Sequence, residues 1–238
     1  MVAYIIGSGA ERLLAFPGSK LGTMQRPKLT RDRALARLKA VKDRFSAYIG
    51  ARYASKAKDC GSCATPCCAD DEFVNVNITR LEGEAIMRTI RLSPRVSPAR
   101  REEIIGNARA AVRRYGLDRA ADTFATTYAC PLYEPGRGCL VHYKAKPAPC
   151  TQHGCYEEWQ DLPDELELRR TERRVAALNR ELYGPDEQAW GFRTIPVWIA
   201  RLADEGVEAP SEGDVPEAEG LVQITRRAAA GRRGGSRG

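Results

Sequence analysis

Eight cysteines in this sequence fall into two groups whose spacing could bind metal. The first group is C-G-S-C-A-T-P-C-C and contains Cys60, Cys63, Cys67 and Cys68. The second group comes later in the chain and consists of Cys130, Cys139, Cys150 and Cys155. Thiolates are strong ligands for zinc and iron, and a Cys-x-x-Cys pair can place two sulfurs on one ion through a single tight loop. The spacing therefore predicts a metal centre built from all eight cysteines, in which the second group completes the coordination that the first begins.

Disulfide bonds are the alternative use of these cysteines. They belong to oxidising compartments and mostly to small secreted chains. The only apolar run near the N-terminus, residues 2–6, is too short for a secretory signal and has no basic segment before it, and no stretch is long enough to span a bilayer. The adjacent Cys67 and Cys68 cannot readily bridge each other. The sequence thus favours metal-bound thiolates in a cytoplasmic protein, with disulfides and unligated thiols as alternatives.

Only two histidines are present in this sequence, so chemistry that depends on imidazole groups is limited. His153 lies in a Cys-x-x-His-x-Cys pattern, where it could serve as an additional ligand or replace a thiolate. His142, beside Tyr143, is more typical of a structural residue. The sequence contains no G-x-S-x-G, P-loop or H-E-x-x-H motif. No catalytic residue is therefore predicted, and whether the protein is an enzyme stays open.

Helices are the elements expected to position the cysteines. Capping signals and helical spacing of apolar residues predict helices over about 31–55, 79–91, 97–115, 164–183 and 196–204. Alternation predicts one short strand over 73–78. The second cysteine segment is rich in proline and glycine and lacks a helical period, as loops around an ion would. We expect a mainly α fold with irregular cysteine-rich metal-binding loops and at most a short β-hairpin.

Charge divides the chain into a body and two basic ends. The net charge is +7; residues 1–58 hold 13 basic against 3 acidic residues, and residues 226–238 hold five arginines and no acid. The remaining body is therefore acidic. We expect a flexible N-terminal extension (1–29, with Met24 as an alternative start), a cysteine-rich metal-binding domain (30–204), and a disordered linker with an Arg/Gly-rich tail (205–238). Nucleic acid could contact the basic ends, but this is not favoured over a protein partner, and no membrane is predicted.

Two sets of side chains receive a structural interpretation. The polar face of the first helix is predicted to be solvated, and it carries Arg33, Arg37, Lys39, Lys42 and Arg44. The three tryptophans are predicted to be packing aromatics rather than cofactor contacts, and they are Trp159, Trp190 and Trp198.

The cysteine pattern as a whole resembles a known family. The motifs are C-x2-C-x3-C-C, then C-P-x-x and G-x-C, then a tyrosine followed by Lys/Arg-Pro-x-x-Cys. Over about 59–156 the chain is similar to the YkgJ-like cysteine-rich family, whose members are described as chelating zinc or iron and in some cases as iron–sulfur proteins. By position, the resemblance implies seven ligands, Cys60, Cys63, Cys67, Cys68, Cys130, Cys139 and Cys150.

The resemblance has limits within the second segment. Cys155 and His153 lie outside the securely aligned part. Lys146 stands where the family usually has arginine. The spacing from Cys139 to Cys150 is one residue longer than is usual in the family. These departures leave the ligands in place, but they put in doubt any role that needs a planar guanidinium.

Iron–sulfur chemistry and zinc chemistry both fit eight cysteines. Each closed site uses four thiolates, so one or two iron–sulfur clusters or two zinc ions are compatible with the count. The crowded first group favours a multi-iron cluster, because successive thiolates of one loop can reach different irons. We expect a cytosolic iron–sulfur protein that transfers electrons, carries a cluster or senses redox state. The alternatives are a zinc-stabilised protein-interaction module and, from a module that accompanies flagellin lysine N-methylase, an accessory role in protein methylation.

Overall fold

The computed structural model describes residues 29–56, 67–72, 74–119, 126–153, 156 and 158–207. This part of the chain is mainly helical, which confirms the predicted fold class. Its α-helices are α1 (Arg31–Tyr53), α2 (Arg80–Leu92), α3 (Pro98–Tyr115), α4 (Ala148–Gln152), α5 (Glu165–Tyr183), α6 (Glu187–Trp190) and α7 (Ile195–Asp204). Short 3₁₀ turns cover Cys67–Ala69 and Trp159–Asp161. Among these helices, none is long and apolar enough to cross a membrane.

Helix α1 packs along α5 to form one layer of the fold. The Thr30 hydroxyl accepts the Arg33 N–H at 3.4 Å and begins α1, as its sequence predicts. The buried stripe of α1 contains Leu38 and Val41, which pack with Val175 and Leu178 of α5. The predicted helix over 31–55 is thus confirmed, with its end at Tyr53.

Helices α2, α3 and α7 enclose the largest core cluster. Helix α2 begins at the predicted capping box, in which Glu82 accepts the Thr79 N–H at 3.0 Å. The α7 side chain of Trp198 is buried and donates its indole N–H to the Ile78 carbonyl at 2.9 Å. Gly83 lets α2 approach α7, since a Cβ at this position would lie 2.9 Å from Leu202 Cδ1 and 3.0 Å from Trp198 Cβ. Trp190 is buried as well, so the packing interpretation is confirmed for these two tryptophans; the side chain of Trp159 lies outside the described part.

Two small antiparallel sheets connect the helices. The strands β2 (Tyr133–Glu134) and β3 (Gly138–Cys139) form the predicted short hairpin, with Tyr133 opposite Cys139. Gly136 and Gly138 have φ of 76° and 77° in its turn, a conformation that glycine adopts without a steric penalty. The second sheet was not predicted: β1 (Asn77–Ile78) pairs with β4 (Arg193–Thr194), far away in sequence. Only residues 77–78 of the predicted strand over 73–78 are extended in a sheet, and Phe73 lies outside the described residues.

Two local expectations are wrong. The cysteine-rich segment was expected to contain no helix, but it contains the short helix α4. Its five residues are too few to show a helical period, and prolines stand just before it (Pro147) and within its first turn (Pro149). Lys42 is buried, with 8% of its surface exposed, although the sequence places it on the solvated face of α1. The other members of that face, Arg33, Arg37, Lys39 and Arg44, are exposed as predicted.

The ends of the described body pack on its core. Leu29 is buried in the cluster between α1 and α5, and Val207 packs on the cluster of α2, α3 and α7. The predictions for the N-terminal extension before Leu29 and for the tail after Val207 fall outside the described residues.

Candidate metal centre

Three chain segments bring cysteines to one place in the fold. Cys67 and Cys68 lie in the 3₁₀ turn, Cys130 precedes β2, Cys139 lies in β3, and Cys150 lies in α4. The Cys130 N–H donates to the Cys68 carbonyl at 2.9 Å, which joins the first cysteine group directly to the second. The hairpin then carries Cys139 to the same side, because Cys139 pairs with Tyr133 and the Tyr133 N–H donates to the Cys130 carbonyl at 3.1 Å.

Four of these thiols lie near enough for the charge of one to act on the pKa of another. Burial raises the pKa of Cys130 well above its usual range, and the charges of Cys150, Cys68 and Cys139 raise it further. Burial also raises the pKa of Cys150 to about 12, with contributions in the same direction from Cys139 and Cys68. Like charges raise one another's pKa only at short range in a desolvated site. The four thiols therefore form a cluster that disfavours ionisation unless a cation binds.

Backbone amides and lysines partly offset this penalty. Burial raises the pKa of Cys139, whereas a hydrogen bond from the Val141 N–H and the charges of Lys146 and Lys42 lower it. The Leu132 N–H opposes the rise at Cys130 in the same way. In both places the donor is the amide two residues after the cysteine. Hydrogen bonds of this kind stabilise the thiolate form that a metal ion requires.

The described part of the chain contains no complete metal site. Among the described side chains, no three Cys, His, Asp or Glu residues form a group ready to hold an ion. Cys130, Cys139 and Cys150 carry free thiols. Cys60, Cys63 and Cys155 lie outside the described residues, so their predicted ligation is not placed. Thiolates are donors that suit zinc or iron, and ligation by the described cysteines stays a prediction.

The core holds the cysteine segments in position. Cys130, Cys139 and Cys150 are partly buried and pack against the cluster of α2, α3 and α7. Just before Cys130, the buried Tyr128 donates its hydroxyl to the Val76 carbonyl at 2.7 Å and accepts the Ile195 N–H at 3.3 Å. Tyr128 therefore joins the chain before Cys130 to the residue that precedes β1 and to the residue that follows β4.

The segment 140–147, which connects Cys139 to Cys150, is anchored at two points. Val141 and Ala145 are buried, with 1% of each exposed, while the three residues between them point to solvent. The Lys42 ammonium donates to the Ala145 carbonyl at 3.2 Å and lies 3.4 Å from a Glu82 carboxylate oxygen. Lys42 therefore links α1 and the start of α2 to the connecting segment.

The histidines lie at the margin of the thiol cluster. His142 is exposed and its ring meets Tyr143 edge-on, with 4.7 Å between ring centroids. Burial and then the charge of Lys146 lower the pKa of His142. His153 is exposed at the end of α4, and its backbone N–H donates to the Pro149 carbonyl at 2.8 Å. A role for His153 as a ligand stays a prediction.

Sequence reasoning missed Lys42 and Tyr128 as residues that support the site. A signal for Lys42 exists, because Leu38, Lys42 and Phe45 follow the i, i+4, i+7 spacing of one helix face. The lysine therefore occupies a position of the apolar stripe. Tyr128 has no comparable local signal, since both of its hydrogen-bond partners are distant in sequence.

Comparisons with protein-family models, with curated proteins and with solved structures find no match to this chain.

Proposed function

We propose that this protein binds metal through its two cysteine groups and that the metal is an iron–sulfur cluster. The observation that carries the proposal is the convergence of the Cys68, Cys130, Cys139 and Cys150 thiols, whose charges act on one another. Hydrogen bonds from the Leu132 and Val141 amides to two of these sulfurs support it. The resemblance to the YkgJ-like cysteine-rich family, over about 59–156, points to the same chemistry.

The proposal assigns roles to the cysteines, to the apolar core and to two lysines. The seven aligned cysteines and Cys155 supply thiolates, with His153 as an additional candidate. The core shields the cluster from water, and Lys42 and Lys146 offset part of the negative charge that the thiolates bring. A bound cluster would supply one-electron chemistry, which suits electron transfer, cluster carriage or redox sensing in the cytoplasm.

Metal identity is tested by purifying the full chain without oxygen and measuring iron, sulfide, zinc and the visible spectrum. An iron–sulfur protein gives a brown preparation with iron and acid-labile sulfide in equal amounts, and reversible electrochemistry then tests its redox role. A colourless preparation with stoichiometric zinc contradicts the cluster assignment. A preparation that contains neither metal, even after anaerobic reconstitution with either one, contradicts the metal centre itself.

A zinc-stabilised protein-interaction module is the second candidate. The packing of three cysteines against the main core favours it, because an ion there would lock the hairpin and α4 onto the helices. A structural zinc site is closed by four protein ligands and contributes directly to folding. The spectrum above distinguishes this candidate from the first. The accessory role in protein methylation depends on the resemblance alone, and incubation with labelled S-adenosylmethionine and a lysine-rich acceptor tests it.

A further inference from the structure

Two arginines near α7 lack an anionic partner among the described residues. They are Arg193 in β4 and Arg201 in α7, and both side chains are half-buried. Neither forms an ion pair with a described residue, and the Arg193 Nε is buried without a hydrogen-bond acceptor in that part of the chain. A partly desolvated guanidinium without an acceptor costs free energy. An anion that reached these two side chains, the arginine pair, would therefore stabilise the protein.

The Trp198 indole fixes where the arginine pair lies. Trp198 donates its indole N–H to the Ile78 carbonyl at 2.9 Å, and Arg193 stands opposite Ile78 in the β1–β4 sheet. The Arg201 guanidinium lies 5.9 Å from the centre of the Trp198 ring. Burial, and then the charge of Arg201, lower the pKa of Arg193, as expected of two cations that lie near each other. The sheet and the indole thus hold two positive charges in one place.

The carboxylates at the end of α7 are already engaged by other helices. Asp204 pairs with Arg109 of α3, and Glu205 pairs with Arg80 of α2. Both acidic residues at this end of the helix are therefore neutralised by cations outside α7. The arginine pair keeps its positive charge.

The chain that continues beyond α7 carries charge of the opposite sign. Residues 208–219 contain five carboxylates and no lysine or arginine. They follow Val207, whose N–H donates to the Leu202 carbonyl at 3.2 Å and whose carbonyl accepts the Arg91 guanidinium at 3.1 Å. Arg201 belongs to the last turn of α7, so the acidic segment 208–219 starts close to it.

We propose that the acidic segment 208–219 binds the arginine pair through its carboxylates and covers this side of α7. Guanidinium and carboxylate groups form short, charge-assisted hydrogen bonds that can be bidentate. Because the segment is attached beside its site, its effective concentration there is on the order of millimolar, and a free anion of equal affinity competes poorly. An anionic partner has to displace the segment before it reaches either arginine. This inference goes beyond the proposed metal function and does not depend on it.

The first test is carbodiimide crosslinking of the full chain, which joins a carboxylate to an amine that contacts it. Arginine does not react, so Arg193→Lys and Arg201→Lys each introduce an amine and keep the charge. We expect amide links from these positions to residues 208–219, identified by mass spectrometry, in a yield at least about fivefold above that of Arg173→Lys. Arg173 is the matched control, because it is an exposed arginine of α5 without an ion pair among the described residues.

The second test leaves both arginines unchanged and measures how fast phenylglyoxal modifies them. The variant replaces the five carboxylates of the segment by amides: Glu208→Gln, Glu212→Gln, Asp214→Asn, Glu217→Gln and Glu219→Gln. At low salt the arginine pair should react at least about threefold faster in this variant than in the unaltered chain, since the ion pairs that cover it are lost. The exposed Arg173 should react at the same rate in both proteins.

Mixtures of unlabelled and isotope-labelled chains distinguish links within one chain from links between two copies. The proposal is overturned if positions 193 and 201 give no more links to the acidic segment than position 173 does. Links that join only different chains overturn it too, because they assign the arginine pair to a second copy. Equal phenylglyoxal rates in the amide variant and the unaltered chain show that the segment does not cover the arginines.

Discussion

At the scale of single residues, two side chains that no cysteine motif reveals support the segments that carry the thiols. Tyr128 and Lys42 each join segments that are distant in sequence, and each satisfies a backbone carbonyl on or near the cysteine segments.

Replacement of Tyr128 by phenylalanine should destabilise the fold. The change removes the Tyr128 hydroxyl, so the Val76 carbonyl and the Ile195 N–H keep only the hydrogen bond that they make with each other at 3.3 Å. Loss of buried hydrogen bonds of this kind costs about 0.5–1.5 kcal/mol each, and urea unfolding measures the loss. Tyr143, which is 83% exposed, is the matched control, and Tyr143→Phe should leave stability unchanged. Equal stabilities of the two variants would contradict this role.

Replacement of Lys42 by methionine should also destabilise the fold, by about 1–3 kcal/mol. The variant keeps the length of the side chain but leaves Glu82 buried without its cation and the Ala145 carbonyl without its donor. Thermal and urea unfolding check the result. Lys39→Met, on the exposed face of the same helix, is the control and should change stability by less than about 0.5 kcal/mol. If Lys42→Met unfolds like the unaltered chain, the lysine is not a structural link.

Replacement of Cys130 or Cys150 by serine should reduce the metal bound per chain by at least about half, since a hydroxyl is a poor substitute for a thiolate on zinc or iron. Metal analysis after anaerobic purification measures the change. His153→Ala, at an exposed position, should keep its metal. Full metal content in both serine variants would remove these cysteines from the ligand set, and a loss in His153→Ala would add the imidazole to it.

At the scale of elements, α2 approaches α7 closely at Gly83. Gly83→Ala places a methyl group against Trp198 Cβ and Leu202 Cδ1, and the backbone-attached Trp198 Cβ cannot move aside on its own. We expect a loss of about 1–3 kcal/mol, although alanine is the better helix former. Gly106→Ala is the control on α3, where no atom lies within 4 Å of the added methyl, and it should be neutral or stabilising by up to about 1 kcal/mol. Calorimetric melting temperatures that rank the two variants in the opposite order would contradict the close approach.

The elements also show which features can be predicted from sequence. The Thr79–Glu82 capping box and the Ser97–Pro98 start are local signals, and α2 and α3 begin where these signals place them. The β1–β4 pair has no local signal, because its strands have two residues each and meet only after the intervening helices dock. For the site, motif spacing predicts the approach of Cys68, Cys130, Cys139 and Cys150. It does not predict Tyr128, whose contribution depends on the β1–β4 pair.

At the scale of the whole molecule, the helices form two apolar cores, and the cysteine segments pack on one of them. The α1–α5 layer and the core of α2, α3 and α7 bury their apolar faces against each other, whereas the cysteines pack at the edge of that core. The buried Glu84 carboxylate adds a link between layers, because it pairs with Arg31 of α1 at 2.9 Å and with Arg80 of α2 at 3.2 Å. The described body therefore has apolar cores of its own, which small zinc-dependent domains lack.

Removal of metal should consequently leave most of the helical structure intact. After treatment with a strong chelator, far-UV circular dichroism should retain at least about four-fifths of the helical signal, because the two helical cores do not include the ion. Hydrogen exchange should increase mainly in residues 130–152, where the cysteine segments lie. Complete loss of the helical signal would show that the ion is required for the whole fold.

The hydrogen bond from the Cys130 N–H to the Cys68 carbonyl also constrains the order of assembly. The chain between these two residues includes α2 and α3, so the bond closes a long loop and carries a large entropic cost until those helices have docked. During synthesis the first cysteine group leaves the ribosome well before the second exists. The thiols of that first group are then present without their partners from the second group for as long as the intervening chain takes to be made.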